Sequence, residues 1–477
     1  MHERSKPPLV STGLLVFDFG FVDARGLRRM AAKQVAVVGA GIAGLGTAWR
    51  LAQRGFQVSL FDREQRPGGR ARPVAREGFT IERSGAIVSA ADRALISWIR
   101  ELDIPELLPP RPVVSALAHR DRVQVIDSRS LLGIARIPGI RIHQALRLLR
   151  LPRLVARYGN RIDAERPERA ASLDDRSLAD FGRLYFGARI VEHWMGPLVT
   201  RSSLADPREA SRVLFLQQYR DGAGERLGLL RSSSQELMDR AAGSVPASLG
   251  VCVTCVESRS GGGVRFGFRG GPRGHFAEVD AIVLAVPAPE AVKLAGAELS
   301  FTERDALEKV RYAPGLSLAV ALRRPFHSHP QQIQFPHRED WPLESVLLEP
   351  GVDGGRVPAG RGLALLRATG RWSAAYFDAP DETVSKELID ALGGIFPRIH
   401  GAAIFAEVLR EKRAAPRFDV GRYREIADFT RVQADCRRRG RRIYFAGDYL
   451  MGPSWNAALR SGYRAAADVE EDLGPAA

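Results

Sequence analysis

The stretch Val35–Arg63, VAVVGAGIAGLGTAWRLAQRGFQVSLFDR, decides the fold. Val35 to Val38 is a short apolar run rich in β-branched residues, followed at once by Gly39, Gly41 and Gly44 in G-x-G-x-x-G spacing; this reads as strand, turn, helix. In such a turn the first glycine permits the tight bend. The second lets backbone approach a pyrophosphate, and the third lets the helix pack on the strand. Ile42, Leu45, Trp49 and Ala52 recur at helical spacing, so a phosphate beside Ile42 and Ala43 would face the free N–H groups of a helix start. A second strand, Gln57 to Phe61, ends on Asp62 and Arg63, where a carboxylate can take ribose hydroxyls. Helix-packing turns that bind nothing share the glycine spacing. The strand before, the helix after and the acid beyond it together specify a dinucleotide site.

Composition narrows the class. The chain has 477 residues, 45% of them hydrophobic, enough for a large core and two or three domains. No uninterrupted apolar run is long enough to span a membrane. The N-terminal TGLLVFDFGFVDARGLRRM carries an acid within its apolar stretch and has no small-residue cleavage pattern, so residues 1–29 read as a disordered extension before Met30 rather than a signal peptide. The net charge of +15 raises nucleic acid as a partner, but the excess is almost wholly arginine and is spread along the chain, which is a solvated surface and not a nucleic-acid footprint. Cys252, Cys255 and Cys436 cannot build a disulfide framework, which suits the cytoplasm. Cys252 and Cys255 lie in a strand-like run, where residues three apart point to opposite faces, and no histidine spacing suggests ligands; no metal site is expected.

Beyond the opening unit, a helical, Arg-rich stretch runs from about 93 to 240. VCVTCVESRSGGGVRFGF then reads as a hairpin, and VDAIVLAVPA, Val279 to Ala288, as a strand. The chain closes on RRIYFAGDYLMGPSWNAALRSGYRAAADVEEDL, again strand, glycine turn and helix. Both ends share one architecture, so the last strand can complete the sheet begun at Val35. Gly447 and Asp448 then fall at the strand's carboxyl end, where ligands of such sheets bind. Helix start signals near Ser454 aim a second positive helix end at the same place.

Four pieces in order, GAGIAGL with Asp62, RPGGRAR (Arg66–Arg72), VDAIVLAVPA and FAGDYLMGPSWNAALRSG (Phe445–Gly462), resemble the superfamily of FAD-dependent amine oxidases, protoporphyrinogen oxidases and carotenoid-type desaturases. SLADFGRLYFGARIVEHWMGPLV and VRYAPGLSLAV look most like the protoporphyrinogen oxidase branch. The resemblance implies an α/β fold in which a Rossmann-like FAD-binding domain with a central parallel sheet (30–92, 235–298, 425–472) interleaves with an α+β substrate-binding domain (93–234, mainly helical, and 299–424). It places Gly39, Gly41, Ile42, Ala43 and Gly44 at the pyrophosphate and Asp62, with Arg63, at the adenosine ribose. Arg70, after Gly68 and Gly69, would contact phosphate or ribityl oxygens, and Val256 would meet the adenine edge through its backbone. Gly447 and Asp448 would serve the pyrophosphate or ribityl chain, and Trp455, Asn456 and Ala457 the isoalloxazine. Three departures stand out: Asp62 where the superfamily generally has Glu, Pro73 where Thr or Ser usually follows the G-G-R, and no lysine in GLSLAVALRRPF, where amine oxidases hold a water against flavin N5.

The implied activity is FAD-dependent oxidation of a bulky, largely apolar or tetrapyrrole-like small molecule by hydride transfer to flavin N5, with reoxidation by O2 or another acceptor. Amine oxidation is the alternative, and a flavin-retaining scaffold without catalysis a third reading. No catalytic base can be placed from spacing. In IRIHQALRLLRLPRL, Ile142, Ala145, Leu146 and Leu149 form one helical stripe opposite His143, Gln144, Arg147 and Arg150. Such a helix either packs on its own domain or lies in a membrane surface, here through residues 140–151 at the inner face.

Overall fold

The computed structural model describes residues 32–475 apart from 84–86, 110–112, 120–121, 128–129, 138, 223–226, 271–275, 327–329 and 338–340. The extension expected at 1–29 lies outside the described residues.

Gln34–Val38 is the middle strand of a five-stranded parallel sheet ordered Ile443–Phe445, Ala281–Leu284, Gln34–Val38, Gln57–Asp62, Ala247–Leu249. Its apolar run is continuous because both faces are covered. On one face pack the helices Ile42–Gln53 and Trp455–Leu473. On the other lies a three-stranded antiparallel sheet, Cys252–Ser258, Val264–Arg269 and Phe276–Val279, with Phe61 set edge-on to Phe266 at 5.3 Å. The expected hairpin forms, but the run expected as one strand from Val279 is divided. Val279 ends the antiparallel sheet and Ala281 begins the parallel one, with Asp280 between them accepting the Gln34 N–H at 2.7 Å.

The two helices touch backbone to backbone. A Cβ on Gly462 would stand 2.3 Å from the Ala43 carbonyl oxygen, and Thr47 Oγ1 donates both to that oxygen (2.7 Å) and to the Gly462 carbonyl (3.2 Å). This contact joins the two ends of the chain and brings both helix N-termini to one side of the sheet.

A second, seven-stranded sheet is ordered Ala403–Pro416, Tyr312–Leu322, Gly362–Ala368, Leu343–Pro350, Gln332–Gln334, Ser115–His119, Arg122–Val125. Its last two strands come from the stretch expected to be mainly helical. Ser115–Leu117 pairs in parallel with Gln332–Gln334, a partner more than two hundred positions away, so no local pattern marks it. The helix Asp381–Gly393 covers one face of this sheet. The remaining helices between 131 and 221 form their own core around Phe181, Phe215 and Trp194.

The stripe expected between 140 and 151 is not one helix. Ile142–Arg147 and Arg150–Tyr158 meet at Leu148–Leu149; Leu148 and Leu151 turn into the core, whereas Ile142, Leu146 and Leu149 remain exposed.

Candidate functional site

A cavity of about 700 Å³ runs from the carboxyl ends of the parallel strands to the inner face of the second sheet. At its first end, Gly39 bends at φ +108°, and a Cβ there would meet the Ala285 carbonyl oxygen at 2.5 Å. Gly44 does not line the cavity; its Cβ would fall 1.8 Å from the Gly39 carbonyl oxygen, so it serves helix packing. Gly41 is different: nothing lies within 4 Å of where its Cβ would be, and with Ile42 and Ala43 it lines the cavity. The protein itself does not require a glycine there, but a ligand pressed against the backbone would.

Asp62 and Arg63 line the same end. The Asp62 carboxylate accepts the Ala40 N–H at 2.6 Å and the Glu64 N–H at 2.8 Å. It therefore fixes the glycine turn, a task its position alone did not reveal.

Gly68, Gly69 and Arg70 come in below this turn, with the Gly68 N–H on the Ala40 carbonyl at 2.8 Å. Arg70 pairs with Asp448 at 2.8 Å and reaches the Arg413 and Ala414 carbonyls. Burial works against the Arg70 charge, but Asp448 overcomes it and raises the guanidinium above its ordinary value. Tyr312 lies beneath Arg70, and its hydroxyl, which accepts the Ala288 N–H, is pushed up to about 12 by burial and by Asp448.

Gly447 and Asp448 stand at the end of Ile443–Phe445 as expected. Ser454 caps the helix Trp455–Leu473 by accepting the Ala457 N–H at 3.1 Å. The Trp455 and Asn456 N–H groups at that helix start have no acceptor among the described residues, whereas the Ala457 N–H is engaged by Ser454. The Asn456 side chain has a structural use: Oδ1 accepts the Leu95 N–H at 3.1 Å, capping Arg93–Glu101, whose own N-cap Asp92 makes no such bond.

Val256 lies outside the cavity, with its side chain in the core between the two sheets beside the turn. Val251, Cys252 and Val253 line the cavity instead, because the chain crosses the end of Gln57–Asp62 at Val251, whose N–H donates to the Asp62 carbonyl at 2.9 Å. The alternation of the hairpin fixes which residues are buried, but not where it crosses its neighbour.

The far end mixes leucines, Leu198, Leu204, Leu214, Leu347 and Leu365 among them, with polar side chains that include Gln217, Gln218, Asp221 and Gln332. The strand Tyr312–Leu322 presents Gly315, Leu316 and Ser317 to the cavity, so it offers a hydroxyl and no ammonium. Two guanidiniums, Arg201 and Arg367, also reach the cavity there. Burial lowers Arg201 from its ordinary value, against the charges of Glu344 and Asp92. Burial likewise raises the Glu344 carboxyl despite Arg367. Nothing in the local sequence around either arginine distinguishes it from the many on the surface. Among the described residues no group of His, Cys, Asp or Glu could hold a metal, and Cys252 and Cys255 are free thiols.

Residues 42–470 match the family model of flavin containing amine oxidoreductases. The chain belongs to that family. Membership brings FAD as the cofactor and oxidation–reduction as the class of chemistry. Protoporphyrinogen oxidase 2 of Arabidopsis thaliana is 26% identical over 40% of this chain and 37% of its own length. A putative flavin-containing monoamine oxidase of Mycobacterium tuberculosis is 28% identical over 44% and 45%. These matches thus span less than half of either relative. The carotenoid phi-ring synthase of Streptomyces griseus is 27% identical over 83% of this chain and 80% of its own. Among solved structures, putrescine oxidase bound to putrescine has a TM-score of 0.73 at 19% identity, covering 92% of this chain and 99% of that one. A putative protoporphyrinogen oxidase from Exiguobacterium sp. 255-15 has a TM-score of 0.71 at 15% identity, covering 93% and 100%.

The residues suit FAD. Asp448 Oδ1 is buried without a partner among the described residues, an acceptor ready for a ligand hydroxyl. Gly41 leaves room at a helix start, and the free N–H groups of Trp455 and Asn456 offer donors some way along the same cavity.

Proposed function

We propose that this flavoprotein oxidises a bulky, largely apolar metabolite, a tetrapyrrole or a polyene-like molecule, by taking a hydride from carbon. The observation that carries the reading is one continuous cavity whose first end is built of glycines, helix starts and Asp448, and whose far end sets several leucines among polar side chains. In that reading Gly39, Gly41, Ile42, Ala43, Asp62, Arg63, Gly68, Gly69, Arg70, Gly447, Asp448, Trp455, Asn456 and Ala457 surround FAD, Gly44 supports the turn from behind, and Val251 rather than Val256 meets the adenine. Bound FAD supplies the two-electron acceptor, which O2 or another oxidant then restores. The chain's own part is to orient the substrate over Leu316 and Ser317, to exclude water with leucine side chains, and to offer helix-start N–H groups where negative charge develops. Similarity to the carotenoid phi-ring synthase over most of the chain favours a long apolar substrate. The strand Tyr312–Leu322 has no lysine, which weighs against amine oxidation.

The test is the absorption spectrum of the purified protein, recorded anaerobically before and after addition of protoporphyrinogen, a polyene or a panel of amines. Bleaching by an apolar substrate supports the reading. Bleaching by amines alone replaces it with amine oxidation, and absent flavin bands defeat it.

A membrane source for such a substrate is favoured by one surface. Ile142, Leu146 and Leu149 are exposed among Arg136, Arg141, Arg147, Arg150, Arg153 and Arg157, all exposed too. Apolar side chains ringed by arginine suit an anionic lipid surface. No helix of the described residues is long and apolar enough to cross a membrane, so the contact would be peripheral. Flotation with anionic liposomes tests it: the protein should rise with the vesicles, and an Ile142→Asn, Leu146→Asn variant should not.

A further inference from the structure

Among the described residues the fully buried arginines have partners. Arg356 pairs with Glu349, Arg441 with Glu303, and Arg422 with Glu425 and two carbonyls. Arg212 holds Asp175 and the Leu173 carbonyl, and Arg460 lies against Glu165 and Asp221. Arg201, which lines the cavity from the last turn of Gly196–Ser203, makes no side-chain hydrogen bond or ion pair among the described residues. The carboxylate that acts on it most strongly is engaged elsewhere: Glu344 accepts from Ser345 and lies 3.8 Å from Arg367, while Arg367 donates to the Arg201 backbone carbonyl at 3.1 Å. Asp92, the other carboxylate that acts on Arg201, accepts the Ser89 N–H at 2.7 Å. Arg201 is half-buried at the cavity wall, so its unpaired charge is only partly screened in the free protein.

Resting on the reading of this cavity as the flavin and substrate site, we propose that Arg201 is a specificity residue that pairs with a carboxylate carried by an otherwise apolar substrate. Its planar fork of donors matches the two oxygens of a carboxylate. Leu198, Leu204 and Leu214, which line the same cavity, suit an apolar body. Arg367 adds positive potential to the same end, so an ammonium substrate is disfavoured there.

The experiment is calorimetric titration of the full-length, flavin-loaded protein with decanoate, decanol and decylamine. Decanoate should bind at least tenfold more tightly than either of the others. Arg201→Gln should cut decanoate affinity about tenfold or more and leave decanol unchanged, and Arg201→Lys should keep part of the difference. The proposal is overturned if decanoate binds no better than decanol to the native protein, or if Arg201→Gln holds decanoate as tightly as Arg201 does. Should Arg201→Gln fail to fold, the native protein's ranking of the three probes and the Lys variant decide. A protein without flavin bands overturns the cavity reading and this inference with it; flavin bands with binding blind to charge overturn the inference alone.

Discussion

Arg70 and Asp448 meet at 2.8 Å, one from the loop after the second strand and the other from the end of the last strand. The pair closes the floor of the cavity and leaves Asp448 Oδ1 free for a ligand. Asp448→Ala should therefore weaken FAD binding by about 2 kcal/mol, or roughly thirtyfold, because it removes an acceptor and leaves Arg70 unpaired. Flavin absorbance per protein after dialysis is the measurement. Unchanged flavin content would remove Asp448 from the site.

Gly41 and Gly44 belong to one motif but should fail differently. Gly44→Ala drives a methyl group into the Gly39 carbonyl and should lower stability by about 1–3 kcal/mol, read as a lower denaturation midpoint. Gly41→Ala meets no protein atom, so the apoprotein should melt as before while flavin is lost. Equal losses of stability in the two apoproteins would contradict this division.

Asn456→Ala should destabilise the protein by about 1 kcal/mol, the worth of a helix cap, because the Leu95 N–H loses its acceptor. The bound flavin spectrum should change little, since the Asn456 backbone N–H survives the substitution. A large spectral change with unaltered stability would assign the side chain to the flavin instead.

Glu303 should contribute to the acid sensitivity of the fold. It is fully buried, receives Arg441 at 2.8 Å and the Ser300 N–H at 2.9 Å, and also pairs with Gln433. Burial pushes its carboxyl up, but Arg441 and Ser300 outweigh burial and hold it below the usual range. A depressed carboxyl contributes stability that is present in full above the unfolded value, about pH 4.3, and is lost as pH falls through the folded value. Glu303→Gln should cost about 3–5 kcal/mol at neutral pH, since Arg441 is left buried and unpaired, and should flatten the acid limb of a stability–pH curve. An acid limb identical to the native one would place the titration elsewhere.

Much of the cofactor half is legible locally, because its signals are short-range. The glycine spacing, the β-branched run at Val35 and the serine before Trp455 each dictate their own turn or helix start. What lies between the ends is less legible. Ser115–His119 belongs to the second sheet only because Gln332–Gln334 lies beside it, and the shift from Val256 to Val251 depends on where a hairpin crosses Gln57–Asp62.

The sequence by itself determined the parallel sheet, the helix starts at both chain ends and the residue types that suit FAD, since strand, turn and helix signals act over a few neighbouring residues. Only the tertiary structure decided that Asp448 meets Arg70, that Asn456 caps a distant helix, that Ile142, Leu146 and Leu149 face outward, and that Arg201 stands unpaired in the cavity. Pairing of charges and burial of side chains are properties of surfaces brought together from remote positions, and a chain rich in arginine gives no local mark of which arginine will lack a partner.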